Sequence, residues 1–230
     1  MSAPVRLLGR EARWIGCSLL AFTLLALDVV TSGLVVQLDE RLREQLAGHS
    51  VAMESWTQLA SKLGDIGVAV AVLAIASAAS AQVLWRIWPV AVTAITFVFT
   101  QSVVYVTKSL VGRPGPGIWA DREGYPGYYP AGHTTTAAIT AGLVVFLAVT
   151  SWRRDTQTPV AARLSLWAGL LIGAAAGLNA VLDDSHWVSD IVGGLLLATC
   201  ILLVAFAACR MRLPQAITSG STSKTVGGSG

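Results

Sequence analysis

Polar and apolar positions alternate on a long scale in this chain. Six apolar stretches, at approximately residues 14–35, 66–85, 89–108, 133–152, 164–182 and 188–209, are separated by short polar connections. A helix needs roughly 20 apolar residues to cross the hydrocarbon layer, and each stretch is close to that length. Between the first two, residues 36–62 mix charges with Leu38, Leu42, Leu46, Val51, Trp56 and Leu59 at spacings that suit short amphipathic helices lying on a membrane surface. The pattern therefore predicts an all-α polytopic membrane protein, with six transmembrane helices plus short amphipathic interfacial helices. Residues 1–212 form the single transmembrane domain. The Ser-, Thr- and Gly-rich residues 213–230 are expected to be a disordered tail.

Composition strengthens this picture. The chain is 54% hydrophobic and 13% charged, with a mean hydropathy of +0.64, too apolar for a soluble domain. Cys17, Cys200 and Cys209 lie in apolar stretches without metal-ligand spacing and read as small buried hydrophobes. The first stretch contains Asp28, is long and has no small-residue cleavage site, so it reads as a retained span rather than a cleaved leader. The net charge of +3 comes from basic residues flanking the spans. It reports topology and implies no nucleic-acid partner. Arg6, Arg10, Arg13, Arg86, Arg153, Arg154, Arg163, Arg210 and Arg212 all fall on one side of a six-span arrangement. The positive-inside rule makes that side, with both termini, cytoplasmic. Loop 109–132 and turn 183–187 then face outward, and the expected location is a bacterial cytoplasmic membrane. Gly169, Gly173 and Gly177 make overlapping GxxxG patterns. Two uses stay open for them: close packing inside the bundle, or the seam of a homodimer.

The outward ends of the spans carry the candidate chemistry. Lys108, Arg113, His133, His186 and Asp190 gather there in chain order. A His within or beside a membrane span needs a partner or a task. Asp190 follows His186 by four residues, one turn along the same helix face, where a carboxylate can fix the ring tautomer and support its charged form. His133 follows Gly132 at the start of a span, where helix N-terminal amides favour an anion. Cations, amides and two imidazoles make a set that can hold an anionic group while a ring nitrogen attacks it.

Three motifs carry a resemblance to a family. Lys108-Ser-Leu-Val-Gly-Arg-Pro-Gly115-Pro116, Pro130-Ala131-Gly132-His133 and Asn179-Ala180-Val-Leu-Asp-Asp-Ser-His186-Trp-Val-Ser-Asp190 resemble, in order and spacing, the K-x6-R-P, P-S-G-H and S-R-x5-H-x3-D motifs of the type-2 phosphatidic-acid phosphatase superfamily. The likeness covers about residues 60–205. It implies a six-helix membrane core and a lipid phosphate phosphatase-like hydrolase acting on a lipid or polyprenyl phosphate or diphosphate. By that resemblance His186 is the nucleophile that forms a phosphohistidine, Asp190 orients it, His133 protonates the leaving oxygen and Lys108 clamps the phosphoryl group. The scheme requires no cofactor and no metal. The partners it implies are the lipid or prenyl phosphate substrate and the bilayer.

The chain also departs from the motifs. Gly115 and Ala180 stand where the family has Arg, and Ala131 and Asn179 where it has Ser. Losing one well-placed transition-state donor typically lowers a rate by about 10²–10³, and phosphoryl transfer spreads charge over three oxygens that need such donors. Restoring Arg at positions 115 and 180 is therefore expected to raise turnover. Candidate substitutes are Arg113, Arg122 and Asn179, each equally readable as a solvated or structural residue. Asp183 and Asp184 form a weak candidate Mg²⁺ pair. The Gly- and Tyr-rich stretch from Trp119 to Tyr129 is a candidate cover for the pocket mouth. Two other functions remain open: changed chemistry on a prenyl diphosphate (phosphoryl transfer or diphosphate loss), in which Mg²⁺ has a place, and a non-catalytic lipid-binding or transport homologue.

Overall fold

The computed structural model describes residues 3–46, 59–120, 122–154 and 159–211. All regular structure among them is helical, and six helices are long and apolar enough to span a membrane. The expected tail 213–230, and residues 47–58 of the expected interfacial region, lie outside the described residues.

Helix α1 (Ala3–Val30) ends four to five residues earlier than the apolar pattern suggests, a correction with a local cause. Ser32 turns into the left-handed region with φ 52°, and Gly33 donates its amide to the Asp28 carbonyl at 2.9 Å. The Asp28 carboxylate then accepts the Val35 amide at 2.9 Å, at the start of α2 (Leu34–Leu46). A carboxylate at that point satisfies an otherwise orphaned first-turn amide. Asp28 is thus a structural cap. Helix α2 is the interfacial element, with Leu34, Leu38 and Leu42 exposed at i, i+4 and i+8.

Helices α3 (Ile66–Leu84) and α4 (Trp88–Val111) form a hairpin, and Pro89 opens the second, where its missing N–H is harmless. Gly112, at φ 60°, closes α4 by donating to the Lys108 carbonyl at 2.8 Å. Pro114 and Pro116 prevent continuation, and a 3₁₀ turn (Gly117–Trp119) starts the outer loop. Helices α5 (Gly132–Arg153), α6 (Pro159–Leu182) and α7 (Val188–Met211) complete the bundle.

Helix α5 is the central post. Of its apolar window 72% is buried, against 11% for α1. Small residues make this possible. A Cβ on Gly169 would sit 2.6 Å from the Ala138 carbonyl oxygen, and one on Gly173 2.7 Å from the Ala138 Cβ. The glycine stripe of α6 is therefore used inside the bundle, against α5. Phe146 and Phe206 stack at 4.5 Å between α5 and α7. Leu20, Ile75, Ile95 and Leu171 project outward, as expected of surfaces covered by lipid.

Antiparallel connection places Lys108, His133, Asn179 and Asp190 at one end of the bundle. Arg13, Arg86, Arg153, Arg154 and Arg163 sit towards the other end. The protein is an integral membrane protein whose polar cluster occupies the end away from its basic rim.

Candidate active site

Helix α7 begins at Val188, and its first turn organises the cluster. Asp190 reaches back to accept the Trp187 amide at 3.2 Å, the half of a capping box that satisfies the N-cap N–H. The same carboxylate oxygen meets His186 Nδ1 at 3.1 Å. Asp190 is fully buried and the His186 side chain is 9% exposed. A carboxylate beside Nδ1 holds the proton on that nitrogen and leaves Nε2 with its lone pair. Burial pushes the His186 imidazole below its ordinary proton affinity. The hydrogen bond and charge of Asp190 oppose that, while Lys108 and His133 reinforce it. Lys108 and His133 therefore both lie within electrostatic reach of His186.

Lys108 approaches from the last turn of α4. Its side chain passes the start of α5, where a Cβ on Gly132 would lie 3.7 Å from Lys108 Cε. The N-cap of α5 is Ala131, which supplies no side-chain hydrogen bond. A cation and an uncapped helix N-terminus are thus adjacent, a combination suited to an anion. The Ala131 amide donates to the Asp190 carbonyl at 3.0 Å, which ties this helix start to that of α7. His133, the next residue of α5, meets Asp65 Oδ1 through Nε2 at 3.0 Å. Gly64 permits that approach, since a Cβ there would lie 2.9 Å from His133 Cα. Asp65 and His133 thus make a second His–carboxylate pair.

Tyr125 and Tyr128 of the outer loop lie against the cluster. Tyr125 accepts a hydrogen bond from Lys108 Nζ at 2.8 Å and remains able to donate its own O–H. Burial raises the Tyr125 phenol above its ordinary range, Arg122 opposes this and Asp190 adds to it, so the phenol keeps its proton. Tyr128 stands edge-on to His186 with ring centroids 5.3 Å apart. Arg122 lies over Trp119 at 5.6 Å and over Tyr125 at 5.0 Å.

Several sequence-predicted residues take other places. Arg113 does not reach for a ligand: it is buried, with Nη1 on Asp190 Oδ1 at 2.7 Å and Ser189 Oγ at 2.6 Å, and Nη2 on Asp39 Oδ2 at 2.7 Å. Asn179 donates to Asp183 Oδ2 at 2.9 Å. Asp184 is taken by Arg43, whose Nε and Nη2 contact its two oxygens at 2.6 and 2.7 Å. Asp183 and Asp184 are thus each committed to a separate partner. No group of three His, Cys, Asp or Glu among the described residues is arranged to hold a metal ion. Position 115 is also closed to a clamp. A Cβ on Gly115 would lie 2.7 Å from both the Tyr128 ring and Trp119 Cβ, so aromatic side chains occupy the space an arginine stem would need.

Asp39 is the residue that the sequence concealed. It sits on the largely exposed helix α2, yet is buried at 3% exposure. It accepts the Ser189 amide at 3.0 Å and the Ser189 hydroxyl through a short hydrogen bond. Its only signal in the chain is an acid among the valines and leucines of an amphipathic segment.

A model of the PAP2 superfamily matches residues 86–213, more than half of the chain, and the protein belongs to that superfamily. The fold is similar to the crystal structure of a transmembrane PAP2-type phosphatidylglycerolphosphate phosphatase from Bacillus subtilis. The TM-score is 0.72 at 17% identity, with 88% of this chain and 98% of that chain covered. No curated protein sequence matches the chain.

Proposed function

We propose that the protein is a membrane phosphohydrolase that cleaves a lipid or polyprenyl phosphate or diphosphate through a phosphohistidine on His186. The observation that carries this reading is the His186–Asp190 pair at 3.1 Å, set near Lys108 and the start of α5. Lys108, the Tyr125 hydroxyl and the α5 amides hold the phosphoryl oxygens. Nε2 of His186 attacks phosphorus as the bond to the leaving oxygen breaks, and His133 gives that oxygen its proton. Water then attacks phosphorus, giving a proton to His133, as the P–N bond breaks with its electron pair returning to Nε2 and phosphate is released. The site faces outward, away from the basic rim of Arg13, Arg86, Arg153, Arg154 and Arg163. The likeness to a phosphatidylglycerolphosphate phosphatase supports a phosphate monoester on a lipid as substrate.

One observation favours a second reading, a lipid-binding homologue without turnover. Tyr128 fills the space at Gly115, and the arginines nearest the cluster are engaged elsewhere, Arg113 by carboxylates and Arg122 by aromatic rings. The two readings separate in one experiment. Purified protein is offered phosphatidic acid, phosphatidylglycerol phosphate and farnesyl diphosphate, with and without Mg²⁺, while released phosphate is measured. Turnover abolished by His186→Ala, with acid-labile radiolabel trapped on the protein, supports hydrolysis. No turnover, with lipid binding unchanged by His186→Ala, supports the second reading. Strict Mg²⁺ dependence supports changed chemistry on a diphosphate.

A further inference from the structure

The Asp190 that backs His186 is itself bound to a guanidinium. Arg113 Nη1 lies 2.7 Å from Asp190 Oδ1, with side chains 5% and 0% exposed. Attraction between unit charges scales inversely with the local dielectric, so at such a site the pair is close to electrically neutral. A neutralised carboxylate is a poor support for an imidazole that must gain positive character as it bonds to phosphorus. The second half of Arg113 is occupied by Asp39, at 2.7 Å and 3% exposed. Asp39, Arg113 and Asp190 together carry one net negative charge, next to His186. Asp39 also accepts the Ser189 amide in the first turn of α7, which fixes the helix start that carries Asp190.

We propose that Asp39, supplied by the surface helix α2, is a positioning residue for phosphoryl transfer: it offsets Arg113 and so preserves the charge and orientation that Asp190 gives His186. The inference rests on the reading of His186 as nucleophile. Asp39 lies outside the 86–213 segment matched by the superfamily, so it comes from the tertiary contact alone. The groups near His186 are Asp190 from α7, Lys108 from α4, His133 from α5 with Asp65 behind it, and Tyr128 from the outer loop, while Arg113 meets Asp190. Among them Asp39 acts through Arg113, not by contact with the ring.

The test uses the full chain in lipid nanodiscs, with phosphatidic acid and farnesyl diphosphate as probes and rates normalised to folded protein by tryptophan-fluorescence melting. Asp39→Asn leaves Arg113 and Asp190 as a neutral pair. We expect kcat to fall about 10–100-fold, the range typical when a functional histidine's outer-shell partner is lost, with KM within about twofold. The acid limb of kcat should move to lower pH, because His186 then holds its proton less tightly. Asp39→Glu should recover most of the rate. Asp39→Asn/Arg113→Gln, which removes the cation that neutralises Asp190 and so restores the negative charge beside His186, should be at least tenfold faster than Asp39→Asn. A merely structural Asp39 gives the opposite result: a double variant no faster than the single, and an acid limb that does not move. Either outcome overturns the proposal, as does wild-type kcat in Asp39→Asn. Should Asp39→Asn not fold, the double variant and Asp39→Glu decide by the same criterion of rate against the retained net charge. A wild-type protein without turnover on any probe overturns the hydrolytic reading and this inference with it. An active wild type indifferent to Asp39 overturns the inference alone.

Discussion

Tyr128 lies against Gly115 so closely that a methyl group on Gly115 would come within 2.7 Å of the ring. The position at which the family motif carries an arginine is thus occupied by an aromatic side chain standing edge-on to the catalytic candidate His186. The missing guanidinium is not simply a vacancy awaiting replacement.

Restoring arginine there is expected to fail. Overpacking a filled site typically destabilises by about 1–3 kcal/mol. Gly115→Arg should therefore lower the melting temperature and leave phosphate release at or below the wild-type rate. Combined with Tyr128→Ala, which opens the space, it should release phosphate faster than Gly115→Arg alone. A single Gly115→Arg variant that is stable and faster would show that the Tyr128 contact is not restrictive.

The pH profile follows from the burial of His186. Attack requires the unprotonated Nε2, and the proton affinity of the ring lies below its ordinary value. Activity should persist as pH falls through the usual imidazole range, near 6.5, and be lost only below it. The same sign holds for stability. A buried neutral imidazole contributes fully above its unfolded-state value and loses that contribution as pH falls towards the folded one. Rate and melting temperature followed between about pH 4 and 8, either side of the ordinary imidazole value, against His186→Gln, test both statements.

Tyr125 is expected to matter for binding more than for chemistry. Its oxygen accepts from Lys108 Nζ at 2.8 Å, and its hydrogen is free to meet an anion. Hydrogen bonds involving a charged group contribute about 1.5–3 kcal/mol. Tyr125→Phe should raise KM for a phosphate ester about tenfold while changing kcat less than threefold. Equal losses in both parameters would place the hydroxyl in the chemical step instead.

Gly169 tests the internal use of the glycine stripe. A Cβ there meets the Ala138 carbonyl oxygen at 2.6 Å, backbone that has little room to retreat. Gly169→Ala should destabilise the folded protein by about 1–3 kcal/mol, seen as a lower melting temperature in detergent. Its elution on size exclusion should match the wild type. A dissociated species with an unchanged melting temperature would place the stripe on a homodimer seam.

The spans were legible in the chain because a hydrocarbon layer imposes one requirement, length of apolar helix, that each segment meets by itself. His186 and Asp190 were legible because they lie four residues apart, although the helix begins only at Val188 and the pair forms because Asp190 in its first turn reaches back to the ring. Lys108 and Gly132 lay at the predicted ends of their helices and met there. The end of α1 was less visible, because Asp28 acts on an amide seven residues away, after a turn that apolar counting ignores.

The amino-acid order alone determined the six helices, their alternation across the bilayer, the end at which polar groups collect and the histidine–aspartate pair. Tertiary structure decided what the remaining charges do. Arg113 is drawn into the interior between Asp39 and Asp190, 74 and 77 residues away in sequence. Asp65 finds His133, 68 residues on, and Tyr128 closes the space beside Gly115. Such partnerships depend on which helices become neighbours. A buried charge takes whatever counter-charge the assembled bundle brings within reach, and no local pattern encodes that choice.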